Sequence, residues 1–137
     1  MWYLALIGWF YGESRVQAID YAKTLIKGKS LPLVMPEGED ERIRAAAEIL
    51  RSRDLAVPIL FEPEPPEPAL RHINLVLGRR PKMTQAMASR LLQKPLYSAA
   101  AMVAVGDAAA MVAGAINPTA RVIEAGEMMI GLAPGFV

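Results

Sequence analysis

A loop with the chemistry to bind an anion lies near the carboxyl end of the sequence. Asn117 and Thr119 follow a run of small uncharged residues, 108–115, and precede a segment of helical composition. If the run is a parallel strand, its carboxyl end leads into a helix N-terminus, whose free N–H groups can bind phosphate. Arg79 and Arg80, in a basic loop, are candidates for the countercharge. On spacing alone, capping of the helix by Asn117 and Thr119 is the simpler interpretation, and phosphate binding is the alternative.

The acidic stretch 36–42, PEGEDER, marks a junction between a strand and a helix. An apolar run over 33–35 ends there, and the apolar pattern resumes at Ile43. Carboxylates near a helix N-terminus are stabilised by the helix dipole and by its free N–H groups. We therefore interpret these carboxylates as a helix start signal and not as a catalytic acid or base. They are Glu37, Glu39, Asp40 and Glu41.

The elements around this junction predict a β-α-β unit. Ile43, Ala46, Ala47 and Leu50 have the spacing of one helical face, which would pack on a sheet. A second strand is expected over 57–61, and a right-handed crossover joins the two. The predicted fold class is α/β, a three-layer β-α-β arrangement with a mainly parallel sheet.

Composition bounds the function. The chain has 137 residues, of which 53% are hydrophobic and 21% charged, as in a single packed domain. Fifteen basic and fourteen acidic residues leave a net charge of +1, which argues against nucleic-acid binding. There is no cysteine and one histidine, His72, so disulfides, thiol nucleophiles and a metal site are not expected.

The apolar opening, an extension over 1–12, is too short to span a membrane and lacks the basic start of an export signal. A cytoplasmic location without membrane contact is predicted.

The remainder of the domain, 13–137, divides at a proline-rich segment. A first helix is expected from Ser14 to about Gly28. Residues 61–70 alternate proline with glutamate, so they are predicted to form an exposed, extended linker. Beyond it, 72–78 is interpreted as a short strand, and Thr84 is expected to cap a helix through Leu92.

The second half alternates small and apolar segments. In the Thr84 helix, Met87, Ala88 and Leu91 are expected to face inward. Another helix is predicted over 96–104, broken at Gly106 and Asp107. A strand buried on both faces is predicted over 108–115, and a buried helix is the alternative there. The last helix should begin with Asn117 as N-cap and Pro118 at its first position.

Two long stretches of this sequence resemble a known family. They are PEGEDERIRAAAEILRSRDLAVPIL and KMTQAMASRLLQKPLYSAAAMVAVGDAAAMVAGAINPTARVIEAGEMMIGLAPG. Together they are similar to the amino-terminal half of the phosphotransacetylases, the phosphate acetyl- and butyryltransferases, over residues 14–137. The resemblance implies reversible acyl transfer between coenzyme A and inorganic phosphate, with coenzyme A as a substrate, no tightly bound cofactor and no metal. It also implies a cleft between two subdomains.

The resemblance assigns substrate-side positions to Arg79 or Arg80, Asn117 and Thr119. The family commonly has an arginine where this chain has Glu124, so Arg121, one turn earlier, is the expected substitute. The region before the KMT segment is also shortened. The proposed catalytic aspartate, the active-site serine and most of the coenzyme A pocket belong to the other half of the family sequence. No catalytic residue is therefore expected in this chain, which is expected to be incomplete and inactive alone.

Two alternatives remain beside the acyltransferase. Similar domains at the carboxyl end of some malic enzymes act as ligand sensors, and a non-catalytic remnant that folds with a partner is the other possibility. The carboxyl terminus carries the large apolar residues Met129, Ile130, Leu132, Phe136 and Val137. We expect them to form a strand with an open edge, which predicts self-association or a partner covering it.

Overall fold

The computed structural model describes residues 17–62, 64–133 and 135. The extension 1–12, the start of the first helix and the terminal Phe136 and Val137 lie outside these residues. Residues 17–26 are helical (α1), as expected for the part that is described, and the chain turns at Gly28, where φ is +74°.

The sheet has three parallel strands in the order β2-β1-β3. They are β1 (Pro32–Met35), β2 (Val57–Leu60) and β3 (Ala110–Met111). The helix α2 (Glu41–Ser52) joins β1 to β2, so the expected β-α-β unit and the α/β class are confirmed. Its helical stripe is also confirmed, because Ala47 is buried and Ile43, Ala46 and Leu50 are half-buried.

The strand β3 differs from the prediction for 108–115. The strand covers only Ala110 and Met111, although the amides of Ala109 and Val112 also donate to β1, and Ala109 and Ala110 are exposed. Among the described strands β3 lies at the edge of the sheet, so the prediction of a long strand buried on both faces was wrong. Pairing ends because the chain turns away at Gly114, where φ is +116° and the next amides bond elsewhere.

Four helices form the rest of the described fold. They are α3 (Leu70–Arg79), α4 (Gln85–Leu92), α5 (Pro95–Val105) and α6 (Thr119–Met129). The helix α5 lies between the sheet and the other three: Ala99 and Met102 pack with the sheet residue Val34, whereas Ala100 and Ala101 pack with the helices. It ends at Gly106, at the predicted break, and Gly106 has the left-handed conformation that is common at helix ends.

The segment 72–78, interpreted as a strand, is part of the helix α3. His72, Ile73 and Val76 are buried, and their spacing is that of one helical face. The β-branched residues that suggested a strand are therefore accommodated in a helix because packing outweighs their intrinsic preference. Upstream, residues 64–69 have no regular secondary structure. Phe61, which was expected in the exposed linker, is only 2% exposed because it packs in the core cluster with Val34.

The helix α4 has the predicted start but a different buried face. The Thr84 hydroxyl accepts a hydrogen bond from the Met87 amide at 3.3 Å, which confirms the cap. Ala88 and Leu92 are fully buried, whereas the Met87 side chain is 52% exposed. Met87 was therefore wrongly placed in the core.

The terminal apolar segment does not begin as a strand. Met129 is the last residue of α6 and is fully buried in the helical core, while Ile130 and Leu132 are exposed. Within the described residues, no helix has the length and apolar character needed to cross a bilayer.

Candidate substrate-binding site

The carboxylate of Glu37 is held by the loop that follows β3. Its Oε2 accepts hydrogen bonds from the amides of Gly114 (2.8 Å) and Ala115 (2.7 Å). Its Oε1 accepts from the amides of Ile116 (3.1 Å) and Asn117 (2.8 Å) and from Asn117 Nδ2 (2.8 Å). Five donors thus surround one carboxylate, and Glu37 as a whole residue is only 4% exposed.

These contacts decide the charge of Glu37. Burial disfavours its ionised form, but the hydrogen bonds from Asn117, Ala115 and Ile116 outweigh burial and lower its pKa from 4.5 to about 2. The side chain is therefore an anion at neutral pH, and it satisfies the amides that the sequence had suggested for phosphate.

The contact between Glu37 and the loop 114–117 was not predicted from the sequence. Asp40 alone caps α2, through a 2.9 Å hydrogen bond from the Arg42 amide to its Oδ1. One signal was present: PEGEDER has more carboxylates than a helix cap needs.

Arg42 fixes the same loop from a second direction. Its Nη2 donates to the carbonyl of Ala115 (3.0 Å) and to Asp40 Oδ2 (2.8 Å). The guanidinium therefore links the start of α2 to the loop 114–117. Its hydrogen bonds lower the pKa of Asp40 to about 2.

The last helix begins one residue later than predicted. Pro118 is its cap residue, and the Pro118 carbonyl accepts from the Arg121 amide at 2.9 Å. Asn117 is not the N-cap, because its side chain donates to Glu37 instead of accepting from an amide of α6. Thr119 is the exposed first residue of α6.

A pocket of about 320 Å³ opens beside the Glu37 contact, between the end of β1, the start of α5 and the start of α6. It brings together the cations Lys94 and Arg121, neither of which has a carboxylate within salt-bridge distance among the described residues. The other lining residues are Pro36, Glu37, Glu39, Pro95, Leu96, Tyr97, Ile116 and Asn117. Two cations, the carboxylates of Glu37 and Glu39, a phenol, an amide and apolar side chains therefore face one space.

Tyr97 forms one wall of this pocket. Its hydroxyl donates to Glu124 Oε1 at 3.0 Å, and Lys94 Nζ lies 5.7 Å from the centre of its ring. Burial and the Glu124 carboxylate raise the pKa of Tyr97. The phenol therefore remains protonated at neutral pH, and Glu124 serves as its acceptor.

The five residues predicted for the site do not all meet. Asn117 and Arg121 line the pocket, and Thr119 lies between them in sequence but not among the lining residues. Arg79 donates to the Ile130 carbonyl at 2.9 Å, at the opposite end of α6, which is roughly 16 Å long. Arg80 ends α3 and does not line the pocket. Of the five, Asn117 and Arg121 line this pocket, whereas Thr119, Arg79 and Arg80 do not.

A separate polar cluster joins α3 to the turn after α5. His72 Nε2 and Arg71 Nη2 each lie 2.7 Å from the Asp107 carboxylate. Burial opposes ionisation of Asp107, but the hydrogen bonds from His72 and Arg71 lower its pKa. Within the described ranges no group of three histidine, aspartate or glutamate side chains could hold a metal ion. This cluster ties α3 to the turn after α5.

Comparison with known proteins shows which family this chain is similar to. Residues 72–137 match the family model of phosphate acetyl/butaryl transferases. The phosphate acetyltransferase of Staphylococcus aureus strain MRSA252 is 27% identical over 141 residues, which cover 85% of this chain. The resemblance to the phosphotransacetylase family is thereby confirmed.

Solved structures of phosphotransacetylases share the fold. A phosphotransacetylase from Streptococcus pyogenes superposes with a TM-score of 0.76 at 26% identity, over 87% of this chain and 44% of that one. The EutD phosphotransacetylase from Staphylococcus aureus gives 0.77 at 26% identity, over 89% and 44%. The chain likewise covers 43% of the Staphylococcus aureus strain MRSA252 relative, so it spans less than half the length of the proteins that it matches.

Proposed function

We propose that this chain forms the phosphate-binding side of a phosphate acyltransferase site. The reaction is acyl-CoA plus inorganic phosphate giving acyl phosphate plus coenzyme A, and its reverse. The similarity to phosphate acetyltransferases supports the reaction class. Because the chain spans less than half of those relatives, the proposal assigns it substrate binding and assigns it no general base. A cytoplasmic location belongs to the same proposal.

The observation that carries the proposal is the pair of cations in the pocket. Lys94 and Arg121 face the same space as Asn117, and among the described residues neither is neutralised by a salt bridge. Charge-assisted hydrogen bonds from such groups bind phosphate strongly. Glu37 and Glu39 also line this pocket, so the two cations are matched in number by two carboxylates. The Glu37 carboxylate is already satisfied by five donors, which reduces its repulsion of a bound anion.

This arrangement suits the charge changes of acyl transfer. The sulfur of coenzyme A attacks the acyl carbonyl carbon, the thiol proton passes to a base, and the carbon–oxygen bond to phosphate breaks. Negative charge then grows on the departing phosphate. Arg121 and Lys94 would stabilise that charge. In the direction of acyl phosphate synthesis, they would hold inorganic phosphate as the nucleophile.

Binding of inorganic phosphate tests the role of Arg121. We expect Arg121→Gln to raise the dissociation constant of phosphate about ten-fold, because a charge-assisted hydrogen bond is lost. Arg90→Gln is the matched control, since Arg90 is exposed on α4 and away from the pocket. It should change the constant by less than about two-fold at the same ionic strength. Calorimetric titration measures both.

Equal loss of affinity in the two variants would contradict the assignment of Arg121. Acyl transfer can be followed in parallel by release of free thiol from acetyl-CoA. A chain that binds phosphate without turnover fits the proposal, as no base is assigned to it. A chain that binds acetyl-CoA but no phosphate would favour the ligand-sensing alternative instead.

We further propose that a second copy of the chain covers exposed apolar residues of α6 and the segment after it. Ile123, Ile130 and Leu132 are 53%, 42% and 57% exposed. Sedimentation of the full chain is expected to show a mass that rises with concentration, because association would bury these side chains. Ile123→Glu should reduce association, with Ser52→Glu on α2 as the control. A full chain that stays monomeric across concentrations would contradict this prediction.

A further inference from the structure

Glu37 has no part in the reaction proposed above, yet it is the most fully hydrogen-bonded carboxylate among the described residues. Four consecutive amides, 114–117, and the Asn117 side chain point at it. Consecutive amides that converge in this way form a cradle for an anion. In this chain the cradle is filled by the protein's own side chain, from a residue 77 to 80 positions earlier.

We propose that Glu37 is the positioning residue of the pocket, an internal anion that holds the loop 114–117 and thereby places Asn117 and Arg121. The inference rests on the proposed function, because the pocket is the one assigned to phosphate. It adds that substrate phosphate is excluded from the amide cradle and binds on the Lys94 and Arg121 side.

The contacts from Glu37 to Arg121 are continuous. The carboxylate fixes the amide and the side chain of Asn117. The next residue, Pro118, supplies the carbonyl that accepts from the Arg121 amide at 2.9 Å and from the Val122 amide at 3.3 Å. The first turn of α6 is therefore set by the position of the loop, and the Arg121 side chain leaves from that turn.

The backbone that carries the Glu37 side chain is also held in place. Glu37 lies two residues after the end of β1, and its carbonyl accepts from the Asp40 amide at 3.1 Å. The neighbouring Gly38 packs so closely on β2 that a Cβ there would lie 2.5 Å from the Phe61 carbonyl oxygen. The carboxylate therefore projects from a rigid corner of the sheet, as a positioning group requires.

Refilling of the emptied cradle tests whether it is an anion site. In Glu37→Ala the amides lose their carboxylate, and sodium formate supplies a small replacement. We expect formate to raise the unfolding temperature of this variant by about 4 °C relative to sodium chloride at equal ionic strength. The wild-type chain and the control Glu67→Ala, whose carboxylate is exposed, should show no formate-specific gain. An equal response to formate in all three proteins would overturn the proposal.

The effect on the pocket is measured with Glu37→Gln, which keeps the side-chain volume and one acceptor. We expect its dissociation constant for inorganic phosphate to rise about five-fold, with amide chemical-shift changes extending from 114–117 to Arg121. Glu67→Gln should bind phosphate as the wild type does. Wild-type affinity in a folded Glu37→Gln would overturn the positioning role.

The formate experiment and the phosphate titration also distinguish this inference from the proposed function. If the wild-type chain binds no phosphate, the proposed function fails, and the formate response still decides whether the cradle takes an anion. If Glu37→Ala is unfolded in both salts, the Glu37→Gln titration decides. Folding of Glu37→Ala in formate alone would support the proposal.

Discussion

The free energy of unfolding is expected to fall by about 3 kcal/mol through Glu37 alone as the pH drops from about 6 to about 2. The pKa of Glu37 is lowered from 4.5 to about 2 in the folded chain, where burial opposes and the loop hydrogen bonds favour ionisation. Because the pKa of Glu37 is lower in the folded chain than in the unfolded chain, ionised Glu37 stabilises the fold at pH values above 4.5. That contribution is lost as the pH falls through 4.5 toward 2, because the folded chain must then take up a proton.

Glu37→Gln isolates this contribution. The variant should be less stable than the wild type by about 3 kcal/mol at neutral pH, and the difference should shrink toward pH 2. A shallower pH dependence will remain in the variant, because the pKa values of Asp40 and Asp107 are also lowered. Urea unfolding at a series of pH values measures both proteins, with Glu67→Gln as control. Parallel curves for wild type and Glu37→Gln would show that the carboxylate does not stabilise the loop.

The second large effect is expected in the helical core, at Leu92. Leu92→Ala should lower the free energy of unfolding by about 2–5 kcal/mol, since it leaves a cavity at a fully buried position in α4. Met87→Ala, on the same helix, should change it by less than about 0.5 kcal/mol, because that side chain is 52% exposed. Urea unfolding compares the two. A larger loss at Met87 than at Leu92 would mean that α4 packs with the face that the sequence pattern had favoured.

Local signals predicted much of the fold. The β-α-β unit, the Thr84 cap and the end of α5 at Gly106 each depend on residues close together in the chain, and all three are confirmed. The helix α3 was missed because Ile73 and Val76 have strand preference, and their burial against other helices is not a local property.

The site was predictable only in part, for the same reason. The position of Asn117 and Arg121 at the start of α6 follows from the sequence between β3 and that helix. That the loop amides bind Glu37 depends on a contact across about 80 residues, which no local pattern reports. Arg79 was assigned to phosphate by its charge and by the resemblance, but the fold places it at the carboxyl end of α6, where it satisfies the Ile130 carbonyl.

A titration of the full chain with acetyl phosphate, followed residue by residue through its amide NMR signals, tests the central claim most directly. The pocket assignment predicts saturable shifts at Lys94, Tyr97, Asn117 and Arg121, while the amides of Gly114 and Ala115, which are occupied by Glu37, shift little. Shifts centred on Arg79 and Arg80, or no saturable shift at any residue, would contradict it.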